Sequence, residues 1–333
     1  MEKKRINWLD VSRGVAFLMV IYSHLEYCNS AVMRYFSPMF LTTFFFVSGY
    51  LFKEKQSFCK VLEQRTRTLF LPFLTLGGVM ILISNVLTFN EKIPLRDAIK
   101  GLLFQNGENQ LLWFIAALYL YSLFFYWVER SCRNTKILFL VSFLLFGMNV
   151  AYSYWLDGPR IPWHLNTVGF GCFYMGLGKV YKDYESRIDR MIGHKSLIVL
   201  VCIYLTTVAL SERRYSFGGS PLGIDALWIT LLGLAVCIYV SKLWINNSRF
   251  LLFVGANTLF YFAFHGKVYS LLQTITAKIF AVGGWEHSMW LDTSLGFVIT
   301  LLDALILILP AMFVNRYTPW LLGKGFKLWK CRN

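Results

Sequence analysis

Apolar positions along this 333-residue chain gather into long runs, parted by short polar and basic segments. A helix needs about 20 apolar residues to cross the roughly 30 Å hydrocarbon core of a bilayer. Runs near that length predict ten helices, over 11–27, 36–52, 69–88, 111–128, 136–153, 164–181, 195–210, 221–240, 250–275 and 294–315. Pro72, Pro162, Pro221 and Pro310 fall near helix ends, where a missing N–H costs least. The connecting segments are too short for a soluble domain, and no repeat or low-complexity stretch is evident. The pattern predicts an all-α, polytopic integral membrane protein with a single membrane domain over 1–333.

Charge orients those helices. With the N-terminus inside, the cytoplasmic segments carry 23 Lys and Arg and the five outer loops carry 8, while Arg13 and Lys267 lie within helices. Such a positive-inside bias places both termini in the cytoplasm. Lys3, Lys4 and Arg5 before an apolar run resemble the start of a secretory signal. Asp10 and Arg13 interrupt that run and no small-residue cleavage site follows, so an uncleaved first helix is expected.

Composition agrees with this class. The chain is 56% hydrophobic and 15% charged, against about 25% charged in soluble domains. Thirty Phe, 18 Tyr and 11 Trp suit lipid-facing surfaces and interfacial belts. A net charge of +15 raises the question of nucleic acid. The cations sit in short loops rather than in a basic domain or arm, which speaks against that partner. Cys28, Cys59, Cys132, Cys172, Cys202, Cys237 and Cys331 show no metal-ligand spacing. Neither a disulfide framework nor a metal site is expected.

The stretch RGVAFLMVIYSHL, from Arg13 to Leu25, carries two costly residues. Ionisable groups within a bilayer cost several kcal/mol unless they snorkel, pair or line a wet cavity. Arg13 and His24 are eleven residues apart, which at about 100° per residue puts both on one helix face, about 16.5 Å apart along the axis. Asp10 precedes Arg13 by one turn on nearly the same face and can pair with it. Taken singly, His24 reads either as a histidine bonded to a neighbouring helix or as a working base. Arg13 reads either as a snorkelling topology signal or as part of a site. Their shared face favours function.

Other polar features admit two readings. Ser48-Gly49 suits close helix approach. Lys53, Lys55, Lys60, Arg65 and Arg67 suit positive-inside bias or anionic lipid, and equally the phosphates of a cosubstrate. Trp113 opens the fourth helix from the outer side, and Pro162-Trp163-His164 opens the sixth. His265 and Lys267 form a second costly pair in the ninth. Trp155, Trp163, His164, Trp285, His287 and Trp290 lie in outer loops, where aromatic faces stack on sugar rings or anchor helices in the interface. Asp225 and Asp303 are read as satisfying interhelical partners.

These pieces together resemble the membrane-bound acyltransferase family 3. W-L-D-V-S-R-G-V-A-F-L-M-V-I-Y-S-H carries the family's arginine, ten residues, then histidine, as Arg13 and His24. F-F-F-V-S-G-Y-L-F resembles its second-helix motif. L-W-F-I, P-W-H-L-N-T…F-Y-M-G-L-G and V-G-A-N-T-L-F-Y-F-A-F-H match later blocks, in the manner of the fucose 4-O-acetylase-like branch. The resemblance covers nearly the whole chain in order.

That resemblance implies an enzyme that transfers acyl groups other than amino-acyl groups. An acyl group, often acetyl, moves from cytoplasmic acyl-CoA (a cosubstrate, with no bound cofactor) to a hydroxyl of a cell-envelope or exported saccharide such as O-antigen or exopolysaccharide. The enzyme sits as a multi-pass protein in a bacterial inner membrane, its partners being the bilayer, a saccharide or lipid-linked glycan, and glycan-assembly enzymes. His24 becomes the base and Arg13 its motif partner. Lys60, Arg65 and Arg67 match the position where the family binds CoA, although its two arginines are often separated by two residues and these by one. Asp10, Ser48, Trp113, His164 and His265 are supporting candidates, Ser48 and His265 as oxyanion donors. The competing class is a transporter or flippase for lipid-linked sugars, in which intramembrane Arg, His and Lys line a pathway. No inverted repeat and no paired broken helices support it.

Overall fold

The computed structural model describes residues 6–53, 56–87, 94–104, 112–155, 161–211, 224–283, 288–326 and 328, and helices are the only regular elements among them. In chain order these are α1 (Asn7–Ser23), α2 (Ser30–Phe36), α3 (Phe40–Tyr50), α4 (Phe58–Arg65), a π turn (Thr66–Phe70), α5 (Leu71–Leu87), α6 (Leu95–Phe104), α7 (Trp113–Ser131) and α8 (Thr135–Trp155). A 3-10 turn (Pro162–Thr167) leads to α9 (Val168–Asp189), α10 (His194–Leu210), α11 (Ile224–Leu243), α12 (Arg249–Ala256), α13 (Thr258–Gly283), α14 (Met289–Ile306), α15 (Ile308–Tyr317) and a last 3-10 turn (Pro319–Leu322).

Four helical stretches are long and apolar enough to cross a membrane: Phe58–Ser84, Thr135–Tyr152, Ala226–Leu243 and Met289–Tyr317. On α8 and α15 large apolar side chains such as Leu144, Met148, Leu309 and Phe313 face outward. In water such surface would aggregate, whereas lipid covers it at no cost. The chain is a membrane protein.

Helices α7, α9 and α10 fall on the fourth, sixth and seventh predicted runs, while others are shifted, shortened or divided for local reasons. The first ends at Ser23, not residue 27: Ser23 Oγ donates back to the Val20 carbonyl, and the His24 N–H closes the last turn on Ile21 O at 3.1 Å. The second run keeps only α3, with α2 formed in the segment before it. The ninth breaks at Asn257, whose side chain donates to Phe253 O at 2.8 Å and accepts from Asn315 at 2.6 Å. The tenth resets at Leu307, because Pro310 has no N–H for the Ile306 carbonyl. Helix α6 occupies what the pattern assigned to a loop. Cys59 is disulfide-bonded, a departure from the expected cysteine chemistry, while Cys28, Cys132, Cys172, Cys202 and Cys237 are free thiols.

Helix α1 is the hub, packed against α3, α11, α12, α13 and α14. Hydrocarbon supplies no hydrophobic drive between helices, so close contact depends on small residues. Gly14 lies against the Leu251 backbone and Gly255 against the Asp10 carbonyl, which brings α12 onto α1. Gly49 rests on Met175 and Gly178 on Phe46, which does the same for α3 and α9.

Near the start of α1 a polar clamp closes the bundle. Lys242 donates to Glu185 at 2.6 Å, Asp189 at 2.5 Å and the Tyr181 hydroxyl at 2.9 Å, and sits 4.8 Å over the Trp8 ring. Tyr50 donates to the same Glu185 at 2.6 Å.

Candidate active site

Two polar levels lie along α1. At the first, Arg13 is ion-paired with Asp10, whose side chain is 3% exposed. Asp10 in turn lies beneath Gly255, so this pair sits at the closest approach of α1 and α12. At the second level His24 is the C-cap of α1 and is exposed, whereas the sequence placed it inside a helix running to residue 27.

His24 does not stand alone. Its ring centroid is 5.6 Å from that of His265 and 6.4 Å from that of Tyr269, to which it is nearly parallel. Helix α13 presents Tyr261, His265 and Tyr269 at four-residue intervals along one side. His265 is buried, and its Nδ1 lies 2.8 Å from the Tyr261 carbonyl. A carbonyl only accepts, so Nδ1 carries the proton and Nε2 is left as an acceptor. Nothing donates to Nε2. That tautomer removes His265 as an oxyanion donor through Nε2, the nitrogen left uncommitted. Lys267, two residues on, lies about 200° round the helix and belongs to another face.

The face between Arg13 and His24 is filled. Ala16, Phe17 and Val20 are buried there, and Phe17 meets Tyr261, Phe262 and His265 edge-on at 5.7, 4.8 and 5.4 Å. The two residues are joined by a packed helix rather than an open groove.

Trp113 and His164 come together at a second place, ring centroids 4.2 Å apart. Trp163 and His164 both adopt left-handed backbone, φ 61° and 52°. That conformation costs about 1–3 kcal/mol at each non-glycine residue and is held only where surroundings over-determine it. Here the Tyr121 hydroxyl donates to His164 O at 2.5 Å and lies 2.6 Å from Thr167 Oγ1, and the Trp163 indole bonds Leu103 O. A ladder of ring contacts through Phe114, Phe262 and Phe17 links this corner to His265. Ser48 lies near the opposite end of α3 from the His24 level and shares no described contact with it. Trp285 and His287 lie outside the described residues, as does the Trp155 side chain.

The basic segment before α5 is divided in direction. The Arg65 guanidinium lies 5.8 Å over the Phe52 ring, Arg67 Nε is 3.3 Å from Glu63, and Lys60 is exposed. The π turn that follows at once is a geometry frequent at functional sites. Gly323 packs on the Arg67 carbonyl with φ +66°, which sets the last 3-10 turn against this segment. Beyond it, a groove of about 1040 Å³ opens between α12 and α15, lined by Arg249, Asn257, Asn315, Arg316 and Lys324 among apolar neighbours. The sequence reading took these cations only as topology signals. Nothing in their spacing announces that three separate segments converge.

Comparison with known proteins adds to this geometry. The Acyltransferase domain matches residues 6–309. A mouse (Mus musculus) protein, Metalloreductase STEAP2, is 28% identical over 183 residues, 51% of this chain. The chain spans 37% of that relative's length, and its reductase chemistry is not carried over. No solved structure matches. The acyltransferase match runs from the start of α1 into α15 and takes in Arg13, His24, the Trp113–His164 corner and His265, so the chain belongs to the membrane acyltransferase family 3.

Proposed function

We propose that this protein is an O-acyltransferase that moves an acyl group, in the first instance acetyl, from cytoplasmic acyl-CoA to a saccharide hydroxyl, with His24 as general base. The observation that carries the reading is an exposed imidazole at the end of α1, backed by a buried histidine of defined tautomer, on the helix that holds the Asp10–Arg13 pair. A histidine that solvent reaches can take a proton from a hydroxyl and hand it on to a leaving group.

In this mechanism the acceptor oxygen attacks the thioester carbonyl while His24 takes its proton. The tetrahedral adduct collapses, the carbon–sulfur bond breaks, and His24 returns the proton to the departing CoA thiolate. No net proton is consumed. Lys60, Arg65 and Arg67, with the adjoining groove cations Arg249 and Arg316, supply the charge for the CoA phosphates. Trp113, Trp163 and His164 supply rings for a sugar face. The fucose 4-O-acetylase-like branch, O-antigen or exopolysaccharide as acceptor, both termini cytoplasmic, the bacterial inner membrane and glycan-assembly enzymes as partners all belong to this proposal.

The test is thiol release from acetyl-CoA by purified protein in the presence of saccharide acceptors. His24→Ala is expected to lose about 10²- to 10⁴-fold in rate. Full activity in that variant refutes the base assignment. Mass spectrometry of envelope glycans from deletion and complemented strains then identifies the acyl group and the acceptor.

A further inference from the structure

Two side chains on α13 and α14 are buried with polar atoms that meet no partner among the described residues: Asp303 at both carboxylate oxygens, and His265 at Nε2. The sequence reading had Asp303 satisfying a partner on another helix, and no such bond is made. Of the two, His265 is the one in ring contact with His24, centroids 5.6 Å apart. A buried acceptor without a donor is costly, so its missing donor calls for an explanation.

The His265 ring is fixed on its other sides. Nδ1 donates to the Tyr261 carbonyl at 2.8 Å, Phe17 stands edge-on at 5.4 Å, and Tyr269 lies at 5.9 Å. The ring cannot turn over without losing its bond to Tyr261, so Nε2 stays an acceptor. Two imidazoles joined by an N–H···N bond of about 3 Å have centroids about 5 Å apart, so the observed spacing misses a bond by roughly half an ångström. His24 is the partner able to close that gap, being exposed and placed past the last turn of α1. Catalytic hydrogen bonds often tighten only when substrate is bound.

We propose that His265 is a positioning residue whose Nε2 accepts the N–H of His24 and so turns the other nitrogen of His24 towards the acceptor hydroxyl. The inference rests on His24 being the base. Neutral imidazole has one N–H and one lone pair, and committing the first to His265 assigns the second to the hydroxyl. The proton taken from the acceptor oxygen makes His24 an imidazolium, whose bond to Nε2 is then charge-assisted. That proton passes on to the thiolate sulfur as the carbon–sulfur bond breaks. His265 keeps its Nδ1–H throughout, since full burial disfavours a charged ring. Tyr269, nearly parallel to His24 at 6.4 Å, limits the tilt of the working ring.

The experiment compares wild type, His265→Asn, His265→Gln and His24→Ala for kcat, KM, Tm and the pH profile of kcat/KM. An asparagine amide reproduces the donor to Tyr261 and drops the acceptor, whereas the glutamine oxygen reaches the place of Nε2. His265→Asn is expected to lower kcat at least about tenfold, with KM within about twofold. Its imidazolium loses a bond, so the acid limb of the profile should move to lower pH by about half a pH unit or more. His265→Gln should keep kcat within about threefold and the wild-type limb. The other titratable groups near His24 are Tyr269 on α13 and the exposed Glu26 beside it in the chain, with Asp292 and Asp303 on α14, which also packs on α1. All are intact in both His265 variants. A wild-type kcat in His265→Asn overturns the inference. So do equal losses in the two variants that follow Tm and leave the limb unmoved, which mark a packing role. Isotope-labelled imidazole NMR of wild type needs no variant: His265 should hold the Nδ1–H tautomer while His24 titrates, and an Nε2–H or doubly protonated His265 overturns the proposal. Retained activity in His24→Ala instead brings down the base assignment, which separates the two failures.

Discussion

Gly255→Ala measures how tightly α12 is held against α1. A methyl group added at Gly255 overlaps the Asp10 carbonyl oxygen and lies 2.6 Å from its carbon and 3.0 Å from the Gly14 nitrogen. Carbon atoms in contact settle at about 3.5–4.0 Å, so α1 and α12 must part by about 1 Å. The obstacle is backbone on a neighbouring helix, which cannot swing aside as a side chain would. Overpacking of this kind costs about 1–3 kcal/mol, while replacing glycine by alanine within a helix returns about 0.8–1 kcal/mol. A net destabilisation of up to about 2 kcal/mol follows, or a fall in Tm of up to about 6 °C. Gly78→Ala on α5 is the control, since a methyl group there meets nothing within 4 Å. The same chemical change should leave that variant as stable as wild type or slightly more so. Activity should fall further than stability in Gly255→Ala, because Asp10 holds Arg13 and a displacement near 1 Å costs up to about 10²-fold in positioned chemistry. Tryptophan-monitored melting and thiol release measure both. Equal melting of the two variants, with full activity in Gly255→Ala, refutes the close-contact argument.

Two further outcomes are expected. Tyr121→Phe removes the hydroxyl that meets His164 O and Thr167 Oγ1, leaves Thr167 Oγ1 at 3.0 Å as the remaining side-chain donor to that carbonyl, and should cost about 0.5–1.5 kcal/mol with a shift in Trp113 fluorescence. An unchanged spectrum and Tm would mean that the turn is held by other contacts. Asp189 lies at the foot of α9, outside the predicted spans. Partial burial alone would raise its carboxyl pKa, but hydrogen bonds from Lys242 and Tyr181 outweigh this and hold it below the ordinary 3.8. A depressed carboxyl contributes stability above its unfolded value and loses it as pH falls through its folded value. Melting temperature should therefore drop below about pH 4, and less steeply in Asp189→Asn. An identical acid limb in the two proteins would refute the clamp's role.

The features legible in the sequence were those set by one helix at a time. Apolar run length gave the all-α class and the four long apolar stretches, and an eleven-residue spacing put Arg13 and His24 in phase, because both depend only on rise and rotation per residue. The break at Asn257 and the early end at Ser23 turn on side chains that bond their own backbone, the reset at Leu307 on a proline without an N–H, and hydropathy averages these away. Asp303 shows the other limit. On sequence it was one more acid in an apolar helix, to be satisfied by some partner. Its want of a donor is a property of three helices together, as is the convergence of Arg249, Arg316 and Lys324 from separate segments.

The filled face between Arg13 and His24 changes what their pairing means. An open rail along α1 would let the acyl arm slide from one residue to the other. With Phe17 edge-on against Tyr261, Phe262 and His265, the arm of the proposed cosubstrate would have to approach His24 beside α1, and the helix itself joins the two residues. Eleven residues of unbroken helix make a stiff rod about 16.5 Å long. Its lower end is fixed by the Asp10–Arg13 pair and by the glycine contacts with α12, the helix that begins at the groove residue Arg249. Its upper end carries His24 against α13. In the proposed mechanism one rigid element then joins the cationic groove to the base. On the proposed reading this is why arginine and histidine occur on the same helix, in phase, although they never touch.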